Sequence, residues 1–223
     1  MEKMGKTWLC AAMLALAPAV VAQAGDPTKE EAKAAKQHEE SARKIGESAQ
    51  KKIDYVNRLA LFDQNQIALA KVAEERAENP KVKELAQKLE RDHQKHLSDL
   101  RDWAHTKSIE IVAVSEMMPG HAVGGAGKAG MEEQSAKGDK DWNKEHVEGV
   151  KQRDELKSLS GMAFDEEYVK LATRDQEKGR DLARKGGSEY RDDAVFASFL
   201  LKTEGTLNDH IAELKRVKEG GSR

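Results

Sequence analysis

Cysteine occurs once in 223 residues, proline four times, and aromatic side chains make up only 4% of the chain. A single thiol excludes a disulfide scaffold and a zinc site of clustered cysteines, and collagen-like or mucin-like stalks would need far more Gly or Pro than this chain has. Few strand-favouring aromatics, with 35% charged and 38% apolar residues, leave long solvated helices as the expected fold class, all-α. Charge of one sign is also missing: 38 Lys and Arg stand against 40 Asp and Glu, a formal total of -2. Nucleic acid and anionic lipid call for a clustered basic excess, so neither is an expected partner. Segments of about ten residues with alternating polarity are absent too, which excludes an outer-membrane barrel. The chain has no Gly-x-Ser-x-Gly elbow, no phosphate-cradling Gly-rich loop and no dinucleotide turn, so no sequence motif points to an enzyme.

What is present begins with an address. Lys3 and Lys6 precede an apolar run from Trp8 to Val21, and Ala22-Gln23-Ala24 offers a small-x-small cleavage site before Gly25. The run contains Pro18 and is shorter than the roughly 20 residues a membrane span requires. Residues 1–24 therefore read as a secretory signal peptide and the mature chain as periplasmic, without a transmembrane span, any outer-membrane association being peripheral. Cys10 lies inside the signal, so the mature chain would carry no thiol.

Residues 25–52 are rich in Ala, Glu, Lys and Gln with almost no large apolar side chain, and read as a polar helical arm. A helical bundle is expected over 53–218. Its first helix carries Ile53, Val56, Ala60, Ile67 and Ala70 at helical spacing and stops at Asn79-Pro80. There Asn79 can cap the next helix and Pro80 can occupy its first turn. The second helix aligns Val82, Leu85, Leu89, His93, His96, Leu100 and Trp103 on one stripe and fades near His105 to Lys107. A crossover of residues 106–161 follows, with a flexible Gly-rich loop at 119–130 and a polar helical stretch near Trp142 to Leu159. The third core helix is expected to begin at Phe164-Asp165, with Asp165 as cap, and to end at Gly186-Gly187. The fourth carries Phe196, Leu200, Leu207, Ile211 and Leu214. The chain repeats itself once. Asp54-Tyr55-Val56 precedes Asp92-His93 much as Glu167-Tyr168-Val169 precedes Asp209-His210, so each half reads as a helical hairpin. Two hairpins and a long crossover predict a four-helix bundle of ferritin-like type, with a plain up-down bundle as the alternative.

The ordered motifs Asp54-Tyr55-Val56, Val82-Lys83-x-Leu85-Ala86, Asp92-His93, Leu156-x-x-Leu159-Ser160-Gly161, Phe164-Asp165-x-x-Tyr168 and Leu207-x-x-His210 resemble an exported bacterial family of unknown function. That family is ferritin-like and is often labelled "predicted outer membrane protein". The resemblance covers about Ile53 to Val217 and implies the same fold and an envelope location. The chain departs from the pattern at Gln66, where the family usually has Glu, and at Gln176, where His usually follows Asp; the Pro usual before the last His is also missing. Uncharged amides at both positions weaken any metal role the family has.

His93 and His96 share the apolar arc of the second helix, so both should face the interior. Neutral imidazole suits zinc, copper or iron, and a single such ion held by His93, His96, His210 and Asp92 is one reading, with Asp175 a further candidate ligand. A di-iron centre is not supported, because Glu90-x-x-His93 has no counterpart in the second half, which reads Leu207-x-x-His210. The preferred reading makes the histidines interior hydrogen-bonding groups, paired with Asp92, Asp209, Gln64 or Gln176 and holding the helices in register. Met117, Met118, His121 and Met131 suggest a cuprous site, but at irregular spacing. Trp103 and Trp142 read as packing. The expected function is then a non-enzymatic structural or binding role in the envelope or stress response, metal-dependent redox chemistry being the alternative. Its expected partners are an envelope protein or a second copy of the chain.

Overall fold

The computed structural model describes residues 28–111 and 144–221. Among these residues the chain is all-helical, with no strand. Helix α1 spans Lys29–Arg76 and α2 spans Pro80–Thr106; residues 144–157 form α3; α4 spans Gly161–Glu189 and α5 Ala194–Gly221. No helix among the described residues is long and apolar enough to cross a membrane.

Local chemistry sets the ends of these helices. Thr28 and Glu31 form a capping box: the Glu31 carboxylate accepts from Thr28 N at 2.8 Å and Thr28 Oγ1 accepts from Glu31 N at 3.4 Å. From there α1 runs without a break to Arg76. Asn79 caps α2 by accepting from Lys81 N at 2.9 Å, and Pro80 sits where its missing N–H is harmless. Asp193 serves α5 by accepting from Phe196 N at 3.2 Å.

Two expected boundaries differ. Asp165 lies inside α4, whose N-cap is Ser160, and its carboxylate instead accepts from Glu78 N at 3.2 Å and Asn79 N at 2.8 Å. It ties the α1–α2 turn to α4 rather than starting its own helix. Gly186-Gly187 does not end α4 either; at Gly186 a Cβ would fall inside the Tyr55 ring and hydroxyl, so glycine is there to admit a tyrosine. Gly179 admits Phe62 in the same way.

Tyr55 donates to Leu182 O at 2.9 Å, Gln66 meets Gln176, and the α1–α2 turn meets Asp165, so α1 and α4 run antiparallel. The turn at Asn79 makes α1 and α2 antiparallel as well, which leaves α2 and α4 parallel. The end of α2 and the start of α4 therefore lie at opposite ends of the long helices. Helix α3 runs along α1 toward the start of α4: Glu145 pairs with Arg58, Arg153 donates to Asn65 Oδ1 at 3.1 Å, and Arg76 donates to Leu159 O at 3.1 Å.

Two apolar clusters fill the interior from opposite ends. One gathers Leu85, Leu89, Leu156, Phe164, Tyr168 and Leu214 near the α1–α2 turn. The other gathers Tyr55, Leu59, Leu100, Trp103, Phe196 and Leu200, where Trp103 stacks on Phe196 with centroids 4.0 Å apart. Each fully buried leucine contributes roughly 1.5–3 kcal/mol. Between these clusters each of the four long helices carries buried polar side chains, and they make up the site.

Candidate functional site

Asp63 on α1, His93 on α2, Gln176 on α4 and His210 on α5 are 0%, 2%, 0% and 1% exposed. Burying such groups costs several kcal/mol unless each finds a partner, so their bonds account for their presence. Asp63 Oδ1 is 2.9 Å from His93 Nδ1, and Asp63 Oδ2 is 2.6 Å from His96 Nδ1. His96 Nε2 lies 2.7 Å from Thr203 Oγ1, whose hydroxyl is also 2.9 Å from Phe199 O. Gln176 Nε2 is 2.9 Å from His93 Nε2 and donates to Gln66 Oε1 at 2.9 Å. Gln176 Oε1 is 3.1 Å from His210 Nδ1, and His210 Nε2 is 2.9 Å from Asp92 Oδ2, which also accepts from Lys88 Nζ at 3.1 Å. All four long helices are joined in one network.

The internal repeat is visible in it. Asp63 lies eight residues after Tyr55 and Gln176 eight after Tyr168. Each is the partner of the histidine Nδ1 in its own half. The bond from Gln176 to His93 then stitches the halves together.

Burial alone would raise the Asp63 carboxyl, but the His96 charge and the hydrogen bonds from both imidazoles outweigh it and hold the group below its usual range. Asp92 is treated the same way, burial being outweighed by His210 and Lys88. His210 moves down to about 4, because burial disfavours its cation more than Asp92 favours it.

A cavity of about 290 Å³ opens onto this network, lined from α1, α2 and α5 by His96 and His210, by Phe62, Phe199 and Leu207, and by the exposed Lys202. Phe199 stacks on His96 with centroids 4.8 Å apart.

The residues expected as a metal set are therefore placed as follows. His210 and Asp92 are bonded to each other; His93 and His96 both turn Nδ1 to Asp63 and aim Nε2 in different directions, at Gln176 and Thr203. Among the described residues no three His, Cys, Asp or Glu side chains are grouped to hold an ion. A di-metal centre of ferritin-like type needs four carboxylates with two histidines. The donor set here, with Gln66 and Gln176 amides at its middle, does not fit one. Of the partners expected for the histidines, Asp92 and Gln176 serve; Asp209 is exposed on the cavity wall. Asp175 is held by Arg174 at 3.0 Å and Lys178 at 3.6 Å. Sequence reasoning missed Asp63 and Thr203. A signal for Asp63 existed: it sits three residues after Ala60 and four before Ile67, on the apolar stripe of its helix. Met117, Met118, His121, Met131 and Trp142 lie outside the described residues.

Fold and site together define an all-helical protein with a buried carboxylate–imidazole–amide network at mid-length. The chain belongs to the family described as "Domain of unknown function (DUF4142)", whose model matches residues 34–217. No curated protein and no solved structure matches it.

Proposed function

We propose that this is an exported periplasmic protein with a ferritin-like four-helix bundle and a non-enzymatic structural or binding role in the cell envelope. The parallel course of α2 and α4, with α3 returning along α1, supports the ferritin-like reading, since an up-down bundle needs no lengthwise crossover. Export rests on the charged, apolar and small-x-small pattern of residues 1–24, and outer-membrane association on the family resemblance.

The observation that carries the functional reading is the mutual engagement of the buried polar groups. Every ring nitrogen of His93, His96 and His210 faces a protein donor or acceptor within 3.1 Å. Groups committed in this way hold helices in register and leave the cavity and the surface to meet a partner. Thermal unfolding with added zinc, cuprous or ferrous ion tests the reading. A melting temperature unchanged by each ion is the expected result; a rise that grows with ion concentration, as binding to the folded state requires, would overturn it.

A further inference from the structure

The network contains a hydrogen-bond conflict. Asp63 and Asp92 end a chain of five groups, Asp63, His93, Gln176, His210 and Asp92, and both carboxylates are acceptors. His93 Nδ1 and His210 Nε2 must then each carry a proton. A neutral imidazole has only one. With those protons directed outward, the inner nitrogens, His93 Nε2 and His210 Nδ1, are bare lone pairs. They face the two ends of a single amide, 2.9 Å and 3.1 Å from Gln176. Its NH2 end can donate to one ring, but its carbonyl end then meets the lone pair of the other. Two neutral rings cannot satisfy this arrangement, whichever way the amide lies.

We propose that this chain binds one proton beyond those of two neutral imidazoles and two ionised carboxylates, and that His93 carries it as an imidazolium between Asp63 and the carbonyl of Gln176. The choice between rings follows from their surroundings. His93 faces the ionised Asp63 with its outer nitrogen, and Asp63 is fully buried, so its charge is poorly screened. His93 and His210 are buried alike, at 2% and 1% exposure, but Asp92, the partner of His210, is 36% exposed and shared with Lys88, so it supports a charge on its ring less than Asp63 does. With His93 charged, Gln176 lies with Oε1 toward His93 and Nε2 toward His210. Amide ends are nearly equal in size, so the slot accepts either orientation. Gln66 turns with it and donates to the same carbonyl oxygen.

Charged groups of both signs surround the chain. Helix α1 supplies Asp63, and α2 supplies His96 on Asp63 and Lys88 on Asp92. Helix α4 supplies Asp175, already held by Arg174 and Lys178, and α5 supplies Glu213, 3.5 Å from Lys88. The extra proton lowers the formal charge of the five groups from two negative to one, which eases the cost of burying them. Reorienting the Gln176 amide would move the proton's seat from one histidine to the other.

The inference rests on the reading that these nitrogens face protein groups and not a metal. Protein made from the full sequence with 15N-labelled histidine, its metal content measured on the same sample, tests it by ring-nitrogen chemical shifts near neutral pH. His93 is expected with both nitrogens protonated and His210 as a neutral ring protonated at Nε2. A metal-free sample in which His93 is neutral would overturn this inference alone; metal bound at His93 would overturn both readings. Two variants probe the cause. Gln176→Glu offers an acceptor at each end, and His210 is expected to gain a second proton. Gln176→Met offers neither, and His93 is expected to lose its inner one. Folded variants whose rings keep the wild-type states would contradict the proposal; if neither variant folds, the wild-type spectrum decides.

Discussion

Replacing Asp63 is the perturbation whose outcome the geometry fixes most tightly. The carboxylate is wholly buried and each oxygen serves a different imidazole, at 2.9 Å and 2.6 Å. Asp63→Ala removes both acceptors and the negative charge, leaves His93 and His96 with unpartnered nitrogens, and opens a small void. Breaking a buried ion pair from one side costs about 3–5 kcal/mol, and the Ala variant is expected in that range. Asp63→Asn is the informative companion. Its oxygen can accept from one ring and its NH2 can donate to the other ring in the opposite tautomer, so hydrogen bonding survives and only charge is lost. Hydrogen bonds to charged groups exceed neutral ones by about 1 kcal/mol each, which makes a loss of roughly 2 kcal/mol for two bonds. Urea unfolding followed by circular dichroism reads both, through a lower midpoint at unchanged slope. Acid adds an independent check. The folded-state carboxyl is held below its ordinary value of 3.8, so its contribution is full above that value and is lost as pH falls through the lower, folded one. The Asn variant should lack that part of the acid transition. An Ala variant within about 0.5 kcal/mol of wild type would refute this, because that is the range of an ordinary surface substitution.

Other outcomes follow from the same packing. Gly186→Ala forces a Cβ into the Tyr55 ring and Gly179→Ala forces one into Phe62, so each is expected to lower stability by about 1–3 kcal/mol in thermal unfolding. Gly205→Ala, with nothing within 4 Å of its new Cβ, is expected to stabilise α5 by up to about 1 kcal/mol. The Tyr168 hydroxyl is buried without a hydrogen-bond partner among the described residues, so Tyr168→Phe should leave the unfolding free energy in urea unchanged or raise it by about 1 kcal/mol or more. His210 is neutral when folded down to about pH 4 but charges near 6.5 when unfolded. The unfolded state therefore binds more protons in that window, and His210 contributes a loss of stability as pH falls from 6.5 to 4, up to about 1.4 kcal/mol per pH unit. His210→Gln should flatten that part of the pH–stability curve.

Helix class, the Asn79-Pro80 start of α2, and the inward face of His93 were legible because each follows from spacing within one turn or a few. The polar network was only half legible. His93 and His96 stand out on an apolar stripe, whereas Asp63 on the stripe of α1 reads as a break in the pattern until its two partners, 30 and 33 residues on, are placed beside it. Asp165 has the residue type and position of a helix cap, and the structure gives it to the preceding turn because Glu78 N and Asn79 N needed an acceptor. Gly186-Gly187 reads as a stop by local propensity; tertiary packing of Tyr55 overrides that preference. Gln66 and Gln176, which first stand out as departures from a family pattern, are the pair at the centre of the site.

On the function proposed above, His93, His96 and His210 are occupied by protein hydrogen bonds rather than by a metal. Elemental mass spectrometry of protein made from the full sequence, purified without chelator and without a histidine tag, tests it most directly, beside a variant carrying His93→Ala and His96→Ala. Zinc, copper and iron well below one per chain in both proteins is the predicted result. One equivalent of any of them in the wild type that disappears from the variant would contradict it.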